Sequence, residues 1–219
     1  MSLSSSPKLV KGGLVMLDPS GARVLRTIAL QYNPDTLSRS YQVQGVGGDG
    51  AAERAQPFRL KGPAVETIKL EAEIDATDPL GAPDQNPDAV RHGIAPQLAA
   101  LEALVNPGSD ALQQTNALAA SGTLEIVPPD APLLVFVFGR HRVQPVRVTE
   151  LSITEEAFDP ALNPIRAKVT LGLRVLSVND VPFDSTAGAL FRAHQQRKEA
   201  LAQRVGGASL DTLGIGGLL

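Results

Sequence analysis

"IALQYNPDTLSRSYQVQ" occupies residues 28–44, and how it is read decides the fold. Its first half alternates apolar and polar residues, as a half-buried strand does. Asn33-Pro34-Asp35 then punctuates the pattern, because proline presets φ near about −65° and Asn or Asp hydrogen-bonds its own neighbouring backbone. The stretch therefore reads as a strand, a sharp turn and a second strand: a hairpin with Asn33 and Pro34 at its tip. It holds no obvious catalytic group.

Working outward, the same period of two dominates. Residues 8–17 and 22–32 are joined by "DPSG", a turn sequence, and are expected to pair as an antiparallel hairpin, with residues 37–44 as a third strand. "GVGGDGAAERAQPFRLKGP" is too glycine-rich for anything but a loop. In "VETIKLEAEID", Ile68, Leu70, Ala72 and Ile74 fall on one face and Lys69, Glu71 and Glu73 on the other. The polar, proline-rich residues 76–93 read as a loop. A helix follows over 94–106, with Ile94, Leu98, Leu101 and Val105 at helical spacing and Asn106-Pro107-Gly108 as its stop. Residues 110–122 fit either a short helix or a loop.

From Leu124 the strand pattern returns in "LEIV", "LLVFVFG" and "RVQPVRVTELSITEEAF". "IRAKVTLGLRVLSV" is the cleanest case: Ile165, Ala167, Val169, Leu171, Leu173 and Val175 alternate with a basic face carrying Arg166, Lys168 and Arg174. Ser185 or Thr186 then caps a charged helix to about residue 205, whose apolar stripe of Ala187, Leu190, His194, Leu201 and Val205 is thin enough to want a partner. The tail "GGASLDTLGIGGLL" combines glycine with Leu210, Leu213, Ile215, Leu218 and Leu219, so it is expected to order on a partner. The division is a domain over 1–180 and a helix with tail over 181–219.

Composition narrows the function classes. The chain has 219 residues, 43% of them hydrophobic, and a formal charge of −3. Only 4% are aromatic and none is Trp, which removes most stacking platforms for single-stranded nucleic acid; the negative charge argues against phosphate-backbone binding as well. With zero cysteines there is no disulfide, no thiolate nucleophile and no cysteine metal site. The first residues lack the basic start and apolar stretch of a signal peptide, and no apolar run reaches the length of a membrane span, so the expectation is cytoplasmic synthesis without membrane insertion.

The chemical motifs fail on context. "GVGGDG" matches the dinucleotide fingerprint in letters, but Pro57 ends any helix that should start inside it. Asp75, Asp78, Asp84 and Asp88 cluster, yet Ala89 and Ala95 stand where a calcium loop needs glycine and glutamate. His92, His141 and His194 lie far apart, and His141, between two arginines, reads as a turn residue rather than a base. No catalytic residue, cofactor or metal is expected.

The order of segments does resemble a family. An N-P turn followed by serine, arginine and tyrosine (Asn33, Pro34, Ser38, Arg39, Tyr41), a K-G ahead of a long strand (Lys61, Gly62) and P-x-R-A opening the last strand (Pro164, Arg166, Ala167) are similar to the tube-type domain of contractile injection systems. The likeness is to the baseplate protein that links tube to spike hub in phage-tail-like particles, and it covers residues 9–178. It implies an α+β, mainly β fold: an antiparallel barrel-like sheet of the tube-protein kind packed with one helix, plus a C-terminal helix and extended tail. It also implies a hexameric ring of this chain between inner tube and spike hub, in contact with other baseplate subunits, in a particle that is either retained or released. Relatives that carry a lysin motif suggest contact with peptidoglycan, which is not expected where a glycine-leucine tail stands instead. The expected partner-binding residues are Asn33, Pro34, Arg39, Tyr41, Arg166, Lys168, Arg174, Leu210, Leu213, Ile215, Leu218 and Leu219. The alternative is a stand-alone β-barrel module that binds a ligand or protein, with the Gly-rich loop as lid.

Overall fold

The computed structural model describes residues 9–45, 59–121 and 131–216. Strands β1 (Gly13–Leu17), β2 (Val24–Ala29), β3 (Leu37–Gln42), β4 (Val65–Asp75), β5 (Leu133–Val137), β6 (Val143–Phe158) and β7 (Pro164–Val175) form one antiparallel sheet in the order β2-β1-β5-β6-β7-β4-β3. The expected alternation holds: Ile68, Leu70, Ala72 and Ile74 of β4 and Ala167, Val169, Leu171, Leu173 and Val175 of β7 are buried. The fold is α+β and mainly β, as expected, but the sheet does not close into a barrel. The β1–β2 hairpin forms around Gly21, which turns the chain at φ 75°. "LEIV" and most of the Gly-rich loop lie outside the described residues.

The hairpin expected over residues 28–44 does not form. β2 and β3 never pair; they are the two opposite edges of the sheet. Residues 30–36 join them, and these seven residues explain the curvature. A flat seven-stranded sheet would put its edges about 29 Å apart, close to the whole reach of that linker drawn straight. The linker is not straight, so the sheet curls until both edges meet it. Leu30 N donates to Gly12 O at 2.9 Å on the β1 side. Asn33 extends that contact, accepting from Gly12 N at 2.8 Å and donating to Val10 O at 2.9 Å. On the β4 side, Gln31 Nε2 donates to Asp75 O at 2.7 Å and Gln31 Oε1 accepts from Asp75 N at 2.9 Å. Two side-chain amides thus stand where ladder bonds are missing. A hairpin needs Asn33 free for its own turn; here its amide is committed to the strand before it.

Helices α1 (Thr77–Leu80), α2 (Pro87–His92), α3 (Ala95–Glu102) and α4 (Ser109–Ala120) fill the β4–β5 crossover. The proline-rich stretch read as a loop is a chain of helical turns, because proline at a first helical position needs no N–H and already has the right φ. Asp75 Oδ1 starts the series by accepting from Thr77 N, and hydrogen bonds from Thr77 hold the Asp75 pKa below the usual carboxylate value. Ile94, Leu98 and Leu101 seat α3 in the core. That helix stops at Glu102 rather than 106, since the residue before Pro107 disfavours helical backbone and Asn106 Nδ2 caps the Glu102 carbonyl at 3.0 Å. Gly93 fixes the layer to β7: it sits at φ 55°, and a Cβ there would overlap the Pro164 carbonyl that accepts from Ile94 N at 2.8 Å. The last helix, α5 (Thr186–Ala202), is capped by Ser185, which accepts from Gly188 N.

Replacing Asn33 by Ala removes one acceptor and one donor at the seam and is expected to cost about 1 to 3 kcal/mol. Urea unfolding monitored by circular dichroism checks this; a midpoint equal to the parent's would show the seam amide to be idle.

Candidate functional site

Three features stand apart from the apolar core: a buried polar cluster, the charged outer face of β7, and an exposed apolar tail. The cluster begins with Glu66. Its position on β4 is in phase with Ile68 and Leu70, so alternation turns its carboxylate inward, where only 4% of the residue is exposed. Tyr41 Oη donates to Glu66 Oε1 at 2.9 Å, and Gln144 Nε2 donates to Oε2 at 3.1 Å. Arg39 and Lys198 bring cations to 3.9 and 3.8 Å. Arg39 also donates to Tyr41 Oη, and both Arg39 and Lys198 lie over the Tyr41 ring, 5.9 and 5.7 Å from its centre. One buried carboxylate therefore joins β3, β4, β6 and α5.

Burial, then the hydrogen bond to Glu66, raises the Tyr41 pKa above its usual value, so the phenol stays protonated and donating. Burial, then Arg39, pulls the Arg142 pKa below its usual value. His194, on the inner side of α5, is 4% exposed. Among the described residues neither of its ring nitrogens, nor Gln144 Oε1, has a hydrogen-bond partner. Burial lowers the His194 pKa first; Lys198 and Arg142 add to this, while Glu66 and the His141 backbone oppose it. The imidazole is held neutral. This arrangement fastens a helix and positions no nucleophile against a base. Among the described residues no group of three or more His, Cys, Asp or Glu could hold a metal ion, and no helix is long and apolar enough to cross a membrane.

Of the residues expected to bind partners, Arg39 and Tyr41 are brought together in this cluster. Asn33 is tied to the β1 side, and Pro34 follows it in the seam. Arg166 and Lys168 do share the outer face of β7, but both reach Glu156, at 3.4 and 2.8 Å, and Arg174 pairs with Asp180. The adjacent Glu156 raises the Lys168 pKa. This basic face is largely neutralised within the chain. Leu210, Leu213 and Ile215 lie together at the C-terminal end, exposed by 41%, 69% and 38%; Leu218 and Leu219 fall outside the described residues. Glu66 and Gln144 escaped the reading of the sequence, although their phase signalled them: each shares strand parity with buried aliphatic residues.

Among the described residues, two clefts stand out on the surface. The larger, about 1040 Å³, lies between β1, β5, β6 and the starts of α4 and α5; the second, about 660 Å³, lies between β2, β4 and α3 beside the seam.

No family model matches the chain, and no curated protein matches it. Among solved structures, it is similar to a chain of "Tail of empty GTA particle computed with helical refinement, C6 symmetry", at 12% identity and a TM-score of 0.28. It is also similar to a chain of "Virion of native gene transfer agent (GTA) particle", at 11% identity and a TM-score of 0.27. Each alignment covers 75% of this chain and 90% of the other. At that TM-score the likeness carries no argument, and the functional reading rests on the residues.

The neutral, buried His194 gives a pH dependence with a definite sign. Its folded pKa lies below the unfolded value of 6.5. Its contribution to stability is thus complete above that value and is lost as pH falls from there toward the folded pKa, because the unfolded chain takes the proton first. The unfolding midpoint of the parent is expected to fall between neutral and mildly acidic pH by more than that of His194→Gln; parallel curves for the two proteins would remove His194 as the cause.

Proposed function

We propose that this chain is a non-catalytic structural subunit of a contractile, phage-tail-like particle, repeated as a ring in the inner baseplate between inner tube and spike hub. The observation that carries the reading is the surface the fold leaves open. Among the described residues the sheet has two unpaired edges, β2 and β3, and α5 leads into a tail in which Leu210, Leu213 and Ile215 are exposed. Unpaired edges and exposed aliphatic clusters are what assembly uses and what a lone soluble domain usually covers. The ordered motifs at Asn33-Pro34, Lys61-Gly62 and Pro164-x-Arg166-Ala167 supply the particle type. On this reading residues 1–180 form the ring-building domain, residues 181–219 anchor it to a neighbour, and Arg39 and Tyr41 at the β3 edge meet the next copy. A stand-alone binding module is the second reading, favoured by the two clefts.

Electron microscopy of the native material separates them: this chain is expected at one end of a tubular particle, and a particle-free soluble complex would sink the proposal. Truncation after Val205 is expected to leave the circular dichroism spectrum and unfolding midpoint unchanged, since Leu210, Leu213 and Ile215 lie outside the core cluster of the described residues, while lowering incorporation into particles. Unchanged incorporation would show the tail to be dispensable.

The basic face of β7 is proposed to turn toward an acidic neighbour or the channel. Because Glu156 answers Arg166 and Lys168 within the chain, simple reversal confounds assembly with folding. The combined variant Arg166→Glu, Lys168→Glu and Glu156→Lys keeps the internal pairing and is expected to fold yet to assemble poorly; particles at parental yield would assign this face to solvent alone.

A further inference from the structure

We propose that the tail of one copy docks in the larger cleft of another copy, with the 3₁₀ turn Leu210–Leu213 as the seated element. The turn has three residues per revolution, so Leu210 and Leu213 stack on one side of it. Gly214, in the left-handed conformation, then turns the chain back, and Ile215 N donates to Leu210 O at 3.3 Å. The result is a small aliphatic knob with a single charge, Asp211, between residues 206 and 216. The cleft is its complement. Met16, Leu25, Leu104, Val105 and Leu133 line it, and among the described residues its only charged lining residues are Arg26 and Arg147. Both arginines are exposed, and among the described residues neither they nor Asp211 takes part in a salt bridge. An apolar knob with one carboxylate thus meets an apolar socket with two guanidinium groups.

Geometry assigns the socket to a second copy. Ser185, Thr186 and Ala187 line the cleft, so it lies at the N-terminal end of α5. The tail leaves the other end, separated by about 25 Å of helix. Residues 203–205 continue as a turn, which leaves residues 206–209 to span the return. Four extended residues cover at most about 14 Å. The knob therefore cannot reach the cleft of its own chain without unwinding the end of α5. A contact of this kind joins different surfaces of two identical subunits, and such head-to-tail contacts close into a ring or run on as a filament. The inference rests on the assembly reading only in requiring that copies meet.

The absence of cysteine makes the test clean. Leu213→Cys in one tagged chain is mixed with Val105→Cys in a chain bearing a different tag, under mild oxidation. A disulfide joining the two tags is expected, together with loss of that band when Leu210→Asp is added to the tail. Glu71→Cys, on the outer face of β4 and away from the cleft, serves as the control and is expected to give no band. Three results overturn the proposal: no intertag band from chains that keep the parental unfolding midpoint, equal bands at Val105 and Glu71, or a disulfide formed only within a single chain carrying both Leu213→Cys and Val105→Cys. No particle is scored, so failure here leaves the particle reading standing, and absence from particles leaves this contact standing.

Discussion

The seam at residues 30–36 is the constraint on which the rest of the molecule depends. The chain must leave one edge of a seven-stranded sheet and enter the other within seven residues, and only a tightly curled sheet allows it. Curling gives the sheet a concave face deep enough to take Ile94, Leu98 and Leu101, so the crossover helices are held by the same geometry. It also brings the β2 side within reach of the C-terminal end of β4, where Gln31 supplies two hydrogen bonds that a continuous strand would have made with its backbone. Side-chain amides suit this role because one group both donates and accepts, as a peptide does. Among the described residues the outward backbone of β2 makes no ladder, so β2 stays an edge of the sheet.

The sequence made the strands plain and the seam invisible, for a physical reason. Alternation reports which residues face the core; β4 and β7 show it plainly, and the β1–β2 hairpin carries an explicit turn code in Asp18-Pro19-Ser20-Gly21. Asn33-Pro34 is different. An asparagine amide that closes a local turn and one that reaches back to Gly12 and Val10 are the same letters, and the partner lies 21 residues away. The proline-rich residues 76–93 show the related ambiguity, since proline interrupts a helix but also begins one. The stop at Glu102 was readable in kind and misplaced in position, because the Asn106 side chain ends the helix one turn before the proline does.

The polar cluster was partly legible. Glu66 and Gln144 sit at inward positions by strand parity, and His194 already belonged to the apolar stripe of α5. What no local pattern carries is that β4, β6 and α5 converge, so that an inward glutamate finds a tyrosine, a glutamine and two cations. A carboxylate buried among such partners is weak evidence of net stability; what it shows here is a fixed relation of β3, β4, β6 and α5.

That fixed relation is what ties the fold to the proposed assembly. α5 is held at its start by Thr186, whose Oγ1 donates to Ser20 O at 3.1 Å, and farther along by His194 and Lys198 packed against the Glu66 cluster. Its last turn has no such support: Leu201 is 44% exposed and Val205 77%. A helix fixed at two points projects its free end in one direction, whereas a flexible linker would scatter the tail through a large volume. For the proposed docking, a pre-set direction lowers the ordering entropy, which matters because the glycines around the Leu210–Leu213 turn make that entropy large. On the proposed docking, the buried carboxylate would act at a distance by aiming the helix that carries the tail.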